Sequence, residues 1–181
     1  HVRVFKLEPS GWKQLGDDID GENSEDYSGR SVSLSDDGTI LAIGANQNDG
    51  NGSNSGHVRV FQWNGTKWTQ VGNDIDGENS EDYSGLSVSL SSHGNIVAVG
   101  ATHNDGNGSE SGHVRIYKWN GSTWNQMGDD IDGMSQGDYS GYSVSISSSG
   151  MIVAIGAYLN DGNGTNSGQV RIYQWNDTEW I

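Results

Sequence analysis

The side chains best equipped for chemistry are oxygen donors, and they come in copies. Asp18, Asp20, Glu22 and Asp26 form one acidic segment; Asp74, Asp76, Glu78 and Asp82 form a second; Asp130, Asp132 and Asp138 form a shorter third. Carboxylates at alternating positions, with Gly21, Gly77 or Gly133 supplying a turn, suit a hard cation, so these eleven residues are candidate Ca²⁺ ligands. The competing reading is a solvated connection whose aspartates cap backbone amides. The Asn48-Asp-Gly-Asn-Gly-Ser53 loop and its copies from Asn104 and Asn160 are weaker candidates of the same kind.

A second chemical pattern is the Asn-x-Ser/Thr sequon, present at Asn51, Asn64, Asn107, Asn120, Asn163 and Asn176. Asn-Gly is also ordinary turn chemistry. Two details favour N-linked glycans: the third residue switches between Ser and Thr while keeping its hydroxyl, and Asn176 keeps a sequon after losing its glycine. All six fall in expected exposed turns, where an acceptor must lie.

No catalytic constellation stands out. There is no cysteine, so disulfides, thiolate zinc sites and a Cys nucleophile are excluded, and His93 and His103 are not repeated. Catalysis needs a unique, asymmetric set of groups. Near-identical units supply the same groups everywhere, so the chain is expected not to be an enzyme. A net charge of −15 argues against nucleic-acid binding, which needs clustered Lys and Arg. No apolar run is long enough for a membrane-spanning helix, and no membrane insertion is expected. A start at His1 reads as a processed precursor or a piece of a longer chain.

The elements that must hold these residues repeat as well. His1-Val-Arg-Val-Phe5 returns from His57 and, as His-Val-Arg-Ile-Tyr, from His113; Gln169-Val-Arg-Ile-Tyr173 is the fourth copy, so the period is 56 residues. Repeats of this length mean propellers, solenoids or arrays, in which a single unit cannot cover its own apolar surface. Within a unit, Ser31-Val-Ser-Leu-Ser35 alternates as a strand does. Ile40-Leu-Ala-Ile-Gly-Ala45 is almost continuously apolar, as for a strand covered on both faces. Val58 to Trp63 alternates again, and Asn64-Gly65 turns the chain into a strand carrying Trp68 and Gln70. Four short antiparallel strands per unit describe a propeller blade. Trp12, Trp68, Trp124 and Trp180, with Trp63, Trp119 and Trp175, read as fillers of the joint between units.

Asp26-Tyr-Ser-Gly-Arg-Ser-Val-Ser-Leu-Ser35, then Gly38, Ala42-Ile-Gly-Ala45 and Gly56-His-Val-Arg-Val-Phe61, together resemble the FG-GAP repeat, the blade of integrin α-subunit propellers and of many extracellular proteins. The sequence departs from it in carrying Ser28-Gly29 for the "FG". Where many family blades hold a calcium loop there is only Ser35-Asp-Asp-Gly38.

The expected fold is therefore all-β: tandem four-stranded antiparallel blades, propeller-like, forming part of a larger ring or an open array. Residues 1–20 read as the C-terminal two strands of an incomplete blade. Residues 21–76 and 77–132 are units one and two, and 133–181 is unit three, truncated at its last strand. The expected function is a non-enzymatic, extracellular or cell-surface structural or adhesive glycoprotein that assembles by blade-to-blade packing. Its partners would be further copies of itself or further repeats of a longer chain. The alternative is a calcium-dependent propeller domain that grips an extracellular protein or a glycan.

Overall fold

The computed structural model describes residues 1–181 and is all-β. A hairpin of β1 (Phe5–Glu8) and β2 (Gly11–Gln14) comes first. The first full sheet holds β3 (Ser31–Leu34), β4 (Ile40–Ala45), β5 (His57–Trp63) and β6 (Trp68–Gln70) in sequence order, with β7 (Ile75–Asp76) also paired to β5. The second repeats it with β8 (Ser87–Leu90), β9 (Ile96–Ala101), β10 (His113–Trp119), β11 (Trp124–Gln126) and β12 (Ile131–Asp132). The third contains β13 (Ser140–Ile146), β14 (Ile152–Ala157) and β15 (Gln169–Gln174). All neighbours in these sheets are antiparallel, and the sheets do not close into a ring.

The fourth strand of each full blade is in two pieces on the same edge. Phe61–Trp63 of β5 pairs with β6, and His57 and Val58 pair with β7. The break falls at Gly72, whose φ of 75° is left-handed. Its missing side chain matters too, because a Cβ there would lie 2.7 Å from the Trp119 ring of the next blade.

Local sequence explains the strands. On β3, Val32 and Leu34 face one side and Ser31 and Ser33 the other, because side chains alternate with a period of two. On β4 both sides are apolar because both are covered. Leu41 and Ile43 pack backward onto Val4, Ile19 and the Phe61 of their own blade, while Ala42 packs forward with Val58 and Val60 onto Val88, Leu90, Val97 and Val99 of the next. The following joint is the same in kind, joining Ala98, Val114 and Ile116 to Ile146, Val153 and Ile155. The core is thus a series of interfaces between blades, with no core inside any one of them. Each fully buried aliphatic side chain contributes about 1.5–3 kcal/mol.

Backbone contacts fix the joint at close range. Gly44 lies against the carbonyl of Gly85, and any Cβ at Gly44 would collide with it, so the glycine in Ala-Ile-Gly-Ala is a requirement of approach. The tryptophans close the outer end: Trp68 Nε1 donates to Leu15 O (3.0 Å), Trp124 Nε1 to Val71 O (2.9 Å) and Trp180 Nε1 to Met127 O (2.7 Å). Each also packs obliquely on Trp63, Trp119 or Trp175. These six are joint fillers, as their spacing suggests, whereas Trp12 on the first hairpin is 71% exposed.

Two faces carry the joint's residues without a neighbour. Val32 and Leu34 are 52% and 47% exposed, against 9% and 7% for Val88 and Leu90. Val170 and Ile172 are 68% and 70% exposed, against 0% and 1% for Val114 and Ile116.

Candidate functional site

The eleven acidic candidates separate into groups with different tasks. Asp26, Asp82 and Asp138 are buried and already satisfied. The Oδ2 of Asp26 accepts from the Asn23 amide (3.0 Å) and from Asn48 Nδ2 (3.0 Å); Asp82 accepts from Asn79 and Asn104, and Asp138 from Ser135 and Asn160. They cap a turn and tie it to the next loop, the structural task of such aspartates. In turn Asn48 Oδ1 accepts from Gly50 N, and Asp49 Oδ1 from Asn54 N, so the Asn48–Ser53 loop spends its oxygens on its own backbone.

Asp20, Asp76 and Asp132 act through their carbonyls, which accept from Arg59, Arg115 and Arg171 at 2.7, 2.9 and 2.6 Å. Each arginine therefore fastens the crossover from the preceding blade to its own blade, and stacks on Phe61, Tyr117 or Tyr173. Partial burial pushes the carboxyls of Asp76 and Asp132 above the usual carboxylate range.

The remaining carboxylates converge with a histidine. Glu22, His57 and Asp74 bring ligand atoms within 4.8 Å of one another, as do Glu78, His113 and Asp130. Glu22 comes from the crossover, His57 opens β5, and Asp74 sits in the turn before β7. His57 and His113 are each 1% exposed; neither Nε2 has a partner, and each Nδ1 has only a long contact with an aspartate. Their Nδ1 atoms lie 3.6 Å from Asp74 Oδ2 and 3.4 Å from Asp130 Oδ2. Burial lowers the pKa of His57, favouring the neutral ring. The His113 ring holds the Asp130 carboxyl below its usual range. Two such Glu–His–Asp triads can hold a divalent ion. In the hairpin, Asp18 meets His1 at 3.7 Å. The repeated histidines are the functional candidates the acidic-segment reading left out. Their 56-residue spacing, and the joint change to Gln169 and Met134 in unit three, are the signals that mark them.

Between the second and third crossovers lies a polar cleft of about 800 Å³ lined by Glu78, Asp105, Glu110, Asp130 and Asp132. A space this rich in carboxylates attracts cations or a basic partner.

All six sequon asparagines are exposed. Their side chains differ. Asn64, Asn120 and Asn176 occupy hairpin tips, where each Oδ1 accepts from the amide two residues on, at 3.0, 2.8 and 3.0 Å. The amide nitrogens of Asn51 and Asn107, the atoms a glycan would need, donate to Gly77 O and Gly133 O at 2.8 Å, while that of Asn120 donates only to the exposed Thr123 hydroxyl at 3.1 Å.

The FG-GAP repeat family model matches residues 19–61 and 131–173, two stretches lying two units apart. These span the crossover and the first three strands of a blade, so the repeating four-stranded units are similar to tandem FG-GAP blades. No curated protein matches the chain. Among solved structures, a Bacteroides uniformis protein provisionally assigned as a 6-phosphogluconolactonase aligns over 99% of this chain and 49% of its own, with a TM-score of 0.61 and 12% identity. Hydrazine synthase from Kuenenia stuttgartiensis aligns over 83% of this chain and 35% of its own, with a TM-score of 0.53 and 13% identity. Both likenesses are of fold, and the chain spans half or less of either protein.

Proposed function

We propose that this chain is a non-enzymatic structural or adhesive array of blades, working outside the cell or at its surface, that continues by packing a further blade on its exposed face. The observation that carries the reading is the exposure of Val170 and Ile172, whose counterparts one unit earlier are sealed inside a joint. A face so apolar is a docking surface in want of its complement, and the complement is the kind of surface seen on β8 and β13. Another copy of the chain, or a further repeat of a longer one, supplies it. The Val32 and Leu34 face is the corresponding acceptor. Head-to-tail contacts of this type build rings if they close and filaments if they do not.

Sedimentation of the 181-residue chain over a range of concentrations tests this. Self-association that disappears in V170D/I172D, with the circular dichroism unchanged, supports the reading. A chain that stays monomeric at high concentration, and stays so when one more 56-residue unit is appended, removes it.

The acidic cleft favours a second reading, a cation-dependent binding domain for a basic partner. Calcium-dependent capture of a cationic peptide by the monomeric chain would favour it over assembly.

A further inference from the structure

We propose that Glu22–His57–Asp74 and Glu78–His113–Asp130 are two copies of a site for a first-row transition-metal dication, with Zn²⁺ the ion best matched to the donors. This goes beyond the array reading and does not depend on it.

Four observations carry the inference. The first is the imidazole. Ca²⁺ is held by oxygen, whereas one nitrogen with two carboxylates is a donor set for zinc and its neighbours. The second is the state of the two histidines. A buried polar side chain is normally hydrogen-bonded, yet both rings are 1% exposed, neither Nε2 has a partner, and each Nδ1 has only a long contact with an aspartate oxygen, at 3.6 and 3.4 Å.

The third is charge. Glu22, Asp74 and Asp76 all act on His57, with Arg59 opposing them, so carboxylates outnumber the guanidinium that bears on the ring and favour a cation there. Arg59 lies 3.7 Å from Glu22, and Arg115 lies 3.3 Å from Glu78, so each arginine is a competitor for the glutamate. The glutamates are also the freest members, about two-fifths exposed. Ligands about 2.1 Å from one ion stand at most about 4.2 Å apart. A small inward swing of the glutamate closes the present spacing of up to 4.8 Å.

The fourth is the third unit. Where the first two carry Glu and His, it carries Met134 and Gln169, so both donors are gone at once. Arg171 has no glutamate there and turns to Tyr173 Oη (2.6 Å) and Ser140 Oγ (3.2 Å). The fold holds without the triad, so the blade itself does not require Glu or His at these positions.

A bound ion would fasten the crossover, through Glu22 or Glu78, to the blade it enters. Zn²⁺ calorimetry on the chelator-stripped, tag-free chain tests the site, with the thermal midpoint read in parallel. H57Q and H113Q place in units one and two the residue that unit three already has, so both variants should fold. Each is expected to lose one tight Zn²⁺ equivalent, and the double variant both, together with the Zn²⁺-dependent rise in midpoint. E22M and E78M should each weaken one site at least about tenfold. X-ray absorption of the zinc-loaded parent should show imidazole scattering. A folded double variant that binds as much Zn²⁺ as the parent overturns the proposal. So does complete displacement of Zn²⁺ by millimolar Ca²⁺.

Discussion

The backbone amide of Ile146 donates to the hydroxyl of Ser89, 57 residues earlier, at 3.0 Å. The same bond joins Leu90 to Ser33 at 2.9 Å, and in alternation with it Ser31 and Ser87 donate to Gly85 O and Gly141 O at 2.8 and 2.7 Å. The serines that interleave with Val32 and Leu34 are therefore more than small spacers. They satisfy the backbone of the following blade, which meets them edge-on and finds no ladder partner there. Each joint is apolar on one part of its surface and hydrogen-bonded in register on another.

Ser33→Ala and Ser89→Ala should each cost about 1–3 kcal/mol, because a buried amide loses its acceptor. Ser145→Ala, at the same place in unit three, meets no following blade within the 181-residue monomer and should stay within about 0.5 kcal/mol there. Urea unfolding of the three variants decides the matter. Equal losses at all three would mean the serines act within their own strand.

Gly72→Ala and Gly65→Ala separate backbone strain from joint packing. Both glycines have positive φ, 75° and 97°, but a Cβ at Gly65 meets nothing while one at Gly72 meets the Trp119 ring. The Gly72 variant should be the less stable by about 1–3 kcal/mol, the usual range for overpacking. Trp119 fluorescence should shift only in that variant.

Alkaline stability should depend on Tyr117. Burial raises its pKa to about 12 from an ordinary 10, so the unfolded chain ionises first. Its contribution is whole below pH 10 and is lost as the pH climbs to about 12, a swing of order 2–3 kcal/mol. Y117F should flatten that decline and fold normally at neutral pH, since Phe61 holds the same position in the preceding unit. An unchanged alkaline profile in Y117F would assign the decline elsewhere.

Glycan occupancy should follow the amide nitrogens. In material from a glycosylating host, Asn64 and Asn176 at the hairpin tips are expected to be modified first, and Asn120, whose Nδ2 holds only an exposed bond to the Thr123 hydroxyl, next. Asn51 and Asn107, whose Nδ2 atoms bond Gly77 O and Gly133 O, should remain bare. Peptide mass spectrometry reads all five directly, and full occupancy at Asn51 would contradict the ranking.

Much of this was legible from residues alone. The return of His-Val-Arg-Val-Phe and its variants every 56 positions determined the unit, alternation in Ser31–Leu34 marked a strand, and continuity in Ile40–Ala45 marked the one covered on both faces. These are consequences of strand geometry, which repeats every two residues and is local. What the fold alone decided is which groups meet across distance. Carboxylates adjacent in the acidic segment part company: Asp26 turns inward to Asn48, Asp20 offers only its carbonyl, and Glu22 leaves them for a histidine 35 positions on. Spacing along a chain says nothing about such meetings when the chain crosses from one blade to the next between them. The joint places the partners, and the joint exists only once two blades are packed.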